Sequence, residues 1–458
     1  MLSTKIDSVN AKYGPRITTY FNELGYNRPR ELAPSLTGVH IADAVKSLVD
    51  PERATYQTFE TLMALEWSPL CDHIDLILDD HGVYPLCIKL LRSVCSENRG
   101  ILENAYGFMC LQFMTLALDI AKIVQGGRFS TFQEEICQLS PGHSIRLILN
   151  NHSRVLEGER IFNETDNTNL LGCYLGCEWG EDGHWTFLPQ IGGCRFLDTV
   201  FLSEQLWNER KQFIKVAQVA SGIFPSWGGL LYVIWHAISE NHGLPDNIIG
   251  THRDRYEGTI FEIGLRYAMC SDPREDPLVY VIINQQSCLR WTDSEPESFQ
   301  SVDIEDADQV ASCAIQKLRS MPTINNMNHM STGILSYASM LLCPQSIEQH
   351  VNQLYEAAFQ RAWREISVIH RTDTFRWCTF AVHLESLVTY LYLLCKKHGR
   401  HPGGAIALRT IALDWDLYEL YARTLLSPLF LLGPSIETGE FVFSDEKVPS
   451  LLEVGLLI

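Results

Sequence analysis

The chain has 458 residues, 46% hydrophobic and 20% charged, with 55 acidic against 36 basic side chains and a formal charge of −19. That much apolar material can bury a core, which excludes a disordered tail protein. The acidic balance argues against a nucleic-acid-binding surface, which needs clustered Lys and Arg to displace counterions.

Helical signals dominate the chain. Segments 42–49 and 52–65 come first. Ser68-Pro69 then reads as a cap followed by a proline at the first helical position, and Asp80-His81-Gly82 as the matching stop. Further helices are predicted over 85–95, 102–124 and 132–139. From 163 to 193 the chain is rich in Gly, Asn and Asp and reads as a long irregular connection, with a short strand at 185–188. Helices over 202–220 and 227–241 follow. A second irregular stretch, 271–301, contains one β-like run at 278–283, and 304–321 is again helical. Ser346 with Gln349 forms a capping box, after which Ile347, Val351, Leu354, Tyr355, Ala358, Ala362 and Ile366 keep a 3.6-residue period. Segment 374–398 is apolar almost all round and closes on Lys396-Lys397-His398, cations that suit a helix C-terminus; it reads as a central helix. The last candidate is 405–425. No motif recurs at the ~34- to 47-residue spacing of helical repeats. The expected fold is all-α: a large helical globule with long irregular loops and at most minor strands. Residues 1–160 are expected to form an N-terminal helical region, 161–200 a Cys- and Gly-rich connection and 201–458 a C-terminal helical region, integrated as one α domain.

The first ten residues carry Lys5 and Asp7 and no apolar core, so no secretory signal is expected. The apolar stretches 109–124 and 425–432 are interrupted by Gln112, Asp119 and Lys122 and by Pro428 respectively. Both are read as short of the ~20 apolar residues that span a bilayer, so stable membrane insertion is not expected. Fourteen cysteines in such a chain read as reduced thiols. Cys87, Cys110, Cys313, Cys343, Cys378 and Cys395 sit among apolar neighbours, where Cys acts as a small hydrophobe. A cytoplasmic location is the expectation.

Familiar catalytic motifs are missing: no Gly-Lys-Ser/Thr phosphate loop, no Gly-x-Gly-x-x-Gly, no His-Glu-x-x-His and no Gly-x-Ser-x-Gly. His252-Arg253-Asp254 matches three letters of the kinase loop, but Thr259 stands where a metal-binding Asn is needed. Cys173, Cys177, His184 and Cys194 are zinc-type ligands at a spacing that no common zinc knuckle uses, so no tightly bound zinc is expected.

The most suggestive run is Cys71-Asp72-His73-Ile74-Asp75-Leu76-Ile77-Leu78-Asp79-Asp80. At 100° per residue Asp72, Asp75 and Asp79 fall within about 60° of one another. Asp72 complements the helix dipole in a first turn, whereas Asp79 and Asp80 in a last turn oppose it. Local stability leaves that pair unexplained, while magnesium, which binds carboxylate oxygens and bridges them to phosphates, would explain it. A solvated acidic face is the commoner meaning of such a stripe. Against it, Ile74, Leu76, Ile77 and Leu78 should bury the helix and turn the stripe toward a cavity. Asn150, Ser153 and Glu157 form a second oxygen set at i, i+3 and i+7, its plainer reading being a helix end. Asp414, Asp416 and Glu419 form a third acidic group. Arg253 and Arg376, with His252, Arg255, Arg371 and Arg409, are candidates for holding a diphosphate. Trp377, Phe380, His383, Glu385, Tyr390 and Tyr392 make an aromatic and polar interior on 374–398, where π faces stabilise a cation.

These pieces resemble a class I terpene cyclase. The standard Asp-Asp-x-x-Asp/Glu motif is absent, since His81, Gly82 and Val83 follow Asp79-Asp80, and Asn150 to Ser153 is three residues where the family uses four. The chain is therefore most similar to the atypical fungal enzymes of the humulene-synthase type. The resemblance implies magnesium held by Asp72, Asp75, Asp79, Asn150, Ser153 and Glu157. It implies Arg253, Arg376, Trp377 and His383 as catalytic residues, and cyclisation of a prenyl diphosphate such as farnesyl diphosphate to a sesquiterpene. The alternative is a non-enzymatic helical scaffold that presents a groove to a protein partner. Whether the acidic helix lines an aromatic cavity or meets open solvent separates the two.

Overall fold

A computed structural model describes residues 12–24, 27–77, 83–161, 177–179, 185–187, 196–220, 227–240, 246–271, 279, 282–283, 303–320, 329–342, 344–368, 380 and 384. Helix makes up 82% of the described residues and strand 2%, which fixes the all-α class. The helices are α1 (Asn27–Leu32), α2 (Gly38–Ser47), α3 (Tyr56–Met63), α4 (Val83–Ser96), α5 (Ala105–Gln125), α6 (Phe129–Ile136) and α7 (Arg146–Ile161). They continue as α8 (Phe196–Asn208), α9 (Arg210–Ala220), α10 (Trp227–Glu240), α11 (Asp246–Cys270), α12 (Ile304–Ser320), α13 (His329–Leu341) and α14 (Pro344–Val368). Strands β1 (Cys177–Trp179) and β2 (Trp185–Phe187) pair antiparallel, with Glu178 opposite Thr186.

Two compact units divide the chain: Met1–Tyr267 with Arg274–Ile282, and Ala268–Pro273 with Ile283–Ile458. The first is built around α5. Its sequence is apolar apart from one strip carrying Gln112, Thr115, Asp119 and Lys122, and every residue from 105 to 123 is buried, as expected of a helix surrounded by others. α3, α4, α6, α7 and α10 all pack against it. In the sequence Gln112, Asp119 and Lys122 read as breaks in this stretch. The structure corrects that: Ala105–Val124 is one continuous helix of membrane-spanning length and apolarity, with 94% of its most apolar window buried inside the protein.

The N-terminus of α5 shows how this core is closed. Asn104, the residue before it, makes no side-chain cap. The amides of the first turn are satisfied by the N-terminal segment instead: Ala105 N donates to Pro15 O and Tyr106 N to Tyr13 O, at 3.0 and 3.2 Å. Gly107 is required by close approach, because a Cβ there would lie 1.8 Å from Ile101 O. A second tie joins 66–68 to 142–146: Ile145 N donates to Glu66 O at 2.8 Å, and the buried Arg146 guanidinium forks onto the Glu66 carboxylate, Nε to Oε2 at 3.0 Å.

In the second unit α12, α13 and α14 pack on one another. His350 near the start of α14 meets Asp308 near the start of α12 at 3.3 Å, while Arg364 near its end donates to Arg319 O at 3.2 Å. α12 and α14 therefore run parallel.

Several expected boundaries are corrected. The single helix over 202–220 is two, broken at Glu209. There the carboxylate leaves the helix line to accept Ile101 N at 2.5 Å and Leu102 N at 2.8 Å. The β-like run 278–283 is not a strand where it is described: Val279, Ile282 and Ile283 are helical and buried. A short apolar run carries no period to separate the two states. α14 starts at Pro344, before the expected Ser346 cap. α11 and α13 add to the expected helices; Gly250, Gly258 and Gly333 lower their intrinsic helix preference. Segment 405–425 lies outside the described residues.

Candidate functional site

The acidic run does not form the expected α-helix. Leu70–Ile77 is a 3-10 helix with non-helical angles at His73, φ −102° and ψ 18°. In this tighter helix residues i and i+3 eclipse, so Cys71, Ile74 and Ile77 go inward together while Asp72 and Asp75 share the exposed side; Leu70 is also buried and His73, at the kink, is exposed. The stripe that was expected to turn toward a cavity faces solvent at both described carboxylates. Leu78, Asp79 and Asp80 lie outside the described residues. The His73 ring rests on Gly38 at the start of α2, where a Cβ would come within 2.9 Å of it. The segment packs against α2 and α6, and these helices expose Asp43 and Glu134. Asp43 has the exposed Lys46 ammonium 3.8 Å away, so Asp72 and Asp75 with Glu134 are the acidic groups this face offers. Burial and the Asp72 charge push the Cys71 thiol up to about 11, which keeps it protonated and inert.

The second set lies inside the protein. Along α5, Gln112, Thr115, Asp119 and Lys122 fall on one face at three- and four-residue steps, and all are buried. Lys122 Nζ is 2.7 Å from Asp119 Oδ1. It also donates to Ser153 Oγ on α7, and that hydroxyl donates to Asp119 Oδ1 at 3.3 Å. Ser153, expected as a magnesium ligand, thus closes a three-membered internal cluster whose cation is an ammonium. Asn150 is buried one turn away on the same helix. The side chain of Glu157 is not described. His152, also buried, meets Glu135 Oε1 at 3.2 Å and stands edge-on to Phe132, with ring centroids 6.0 Å apart.

The described members of the expected magnesium set therefore do not fit one site. Asp72 and Asp75 are exposed, whereas Asn150 and Ser153 are buried. Among the described residues, no group of three or more His, Cys, Asp and Glu side chains could hold a metal ion. Arg253 lies on α11, but its side chain is not described. Arg376, Trp377 and His383 lie outside the described residues, as do Asp414, Asp416, Glu419, Cys173, His184 and Cys194. Of the expected aromatic interior, Phe380 is described, and it is helical and buried.

An aromatic stack that the sequence did not reveal stands in the first unit. Trp227, the first residue of α10, stacks on Phe213 and Tyr267 with centroids 5.5 and 6.5 Å away and ring planes inclined by 27° and 22°, and Phe108 of α5 approaches it at 6.1 Å. Its members come from four helices, so no local period announces it. Trp207 of α8 has two guanidinium groups near its ring: Arg210 at 4.7 Å and the fully buried Arg266 at 5.4 Å.

Comparison of the chain with protein-family models, curated proteins and solved structures gives no match. The functional reading rests on the chain's own residues.

Proposed function

We propose that this protein is a helical interaction scaffold, with the ledge carrying Asp72 and Asp75 as its docking face for a basic partner protein. The observation that carries the reading is the exposure of both carboxylates on a short 3-10 helix whose apolar side is anchored in the core. Anchoring fixes the ledge, and exposure leaves its charge available to a partner. Exposed acidic groups on a protein of charge −19 attract a positively charged surface over about a Debye length, so association should weaken as salt rises.

The test is charge reversal. A partner that co-purifies with the wild-type chain should be lost with Asp72→Lys/Asp75→Lys, while the circular dichroism spectrum and unfolding midpoint stay unchanged. Equal capture by the variant removes the ledge from the interface.

The prenyl diphosphate cyclase is the second reading. The stacking of Trp227 on Phe213 and Tyr267 and the buried polar face of α5 favour it, because a carbocation needs π faces and a dry interior. Release of a cyclic hydrocarbon and pyrophosphate from farnesyl diphosphate with magnesium would replace the scaffold with this enzyme.

A further inference from the structure

Helix α5 carries a buried amide that nothing described satisfies. Gln112 is 1% exposed, and among the described residues neither its amide nitrogen nor its amide oxygen has a hydrogen-bond partner. Its backbone carbonyl accepts Thr115 Oγ1 at 2.8 Å, which leaves the amide itself unserved. A second such group belongs to the helix packed against this one: Trp227, at the start of α10, is 2% exposed, and its indole N–H also lacks a partner among the described residues. Phe108 links the two. Its ring is 6.1 Å from that of Trp227, and Gln112 follows it by one turn on the same face of α5. Leaving a buried amide and a buried indole N–H unmade costs free energy at each, and native interiors meet such groups with an internal molecule.

From these two groups we infer a binding site between α5 and α10 for a small uncharged hydroxylic ligand, either water or the hydroxyl of a bound molecule. The donor set defines the ligand class. Gln112 offers two donors and one acceptor and Trp227 one donor, so the ligand must accept and donate at once, as a hydroxyl does. It is uncharged because the charged pair on this face of α5, Asp119 with Lys122, is already neutralised within itself at 2.7 Å. Two or three hydrogen bonds are what a buried water makes. The inference needs neither the outer ledge nor a prenyl substrate, although it shares Trp227 and the polar face of α5 with the cyclase reading.

Crystallography of the full chain, with thermal unfolding of Gln112→Leu, Trp227→Phe and the double variant, tests it. The expected result is electron density within hydrogen-bonding distance of both the Gln112 amide and Trp227 Nε1. A compact peak identifies water, and an elongated one the hydroxyl of a bound molecule. Each single variant should lower Tm by roughly 2–6 °C, and the double variant by little more than one of them, because both groups serve the same ligand. An empty site, with Tm raised by the apolar substitutions, would overturn the inference, as would additive losses in the double variant. The density in the wild-type protein decides the matter even if a variant fails to fold.

Discussion

Lys122 Nζ lies 2.7 Å from Asp119 Oδ1, one turn away on a helix whose neighbours bury both side chains. The pair stands where bulk water cannot solvate either charge, so each ion depends on the other and on Ser153. Removing one partner is expected to be far worse than removing both. Lys122→Met should cost about 3–5 kcal/mol, by stranding the Asp119 carboxylate in the interior. Asp119→Leu combined with Lys122→Met should recover most of that loss. Urea unfolding of the three proteins checks this, and a double variant as unstable as the single one would show that the pair is not the source of the cost.

Two carboxylates should give stability profiles of opposite slope with pH. The Tyr13 hydroxyl, followed by Lys12, holds the Glu97 carboxyl below the usual range. Its contribution is present above the unfolded value of ~4.3 and is lost as pH falls through the lower folded value. Burial raises the Glu209 carboxyl, against the pull of the Leu102 and Ile101 amides. That contribution is fullest below ~4.3 and is lost as pH rises through the raised value. Relative to wild type, Glu97→Gln should therefore lose ground as pH rises across its window, while Glu209→Gln gains ground across its own. Urea midpoints from about pH 3 to 7 report both slopes; parallel profiles would refute the assignment.

Thiol chemistry should divide the described cysteines by depth. Cys137 is exposed, whereas Cys71, Cys87 and Cys110 are buried. Burial pushes the Cys110 thiol well up, and its Sγ donates to Cys87 O at 3.6 Å. With iodoacetamide near pH ~8, where only thiolates react, Cys137 should be alkylated first. Cys87 and Cys110 should react only as fast as the first unit opens. Peptide mapping over time checks the order, and early modification of Cys110 would contradict it.

The all-α class could be read from the sequence because helix formation repeats within a turn or two. α14 announces itself through Val351, Leu354, Tyr355, Ala358 and Ala362, all of which are buried. α5 does so through a long run in which apolar residues cover all but one narrow strip of its circumference. The acidic run shows the limit of such reading. Its pattern of charged and apolar letters is compatible with an α-helix turned toward a cavity and with a 3-10 ledge turned to solvent. Packing against α2 and α6 accompanies the second. The polar letters in α5 read along the chain as interruptions, because the group that completes their cluster, Ser153, lies 31 positions after Lys122.

Amino-acid order by itself determined which of the strongly periodic segments coil and which sides of them avoid water, since both depend on neighbours three and four positions apart. α11, α13 and the helical residues within 278–283 carried no such signal. Tertiary structure alone decided that the Glu209 carboxylate, at the junction of α8 and α9, takes the Ile101 amide 108 positions away. It also decided that Asp72 meets solvent while Asp119 meets an ammonium. Solvation and ion pairing depend on what lies across a few ångströms of space, and periodicity along the chain carries no record of that distance.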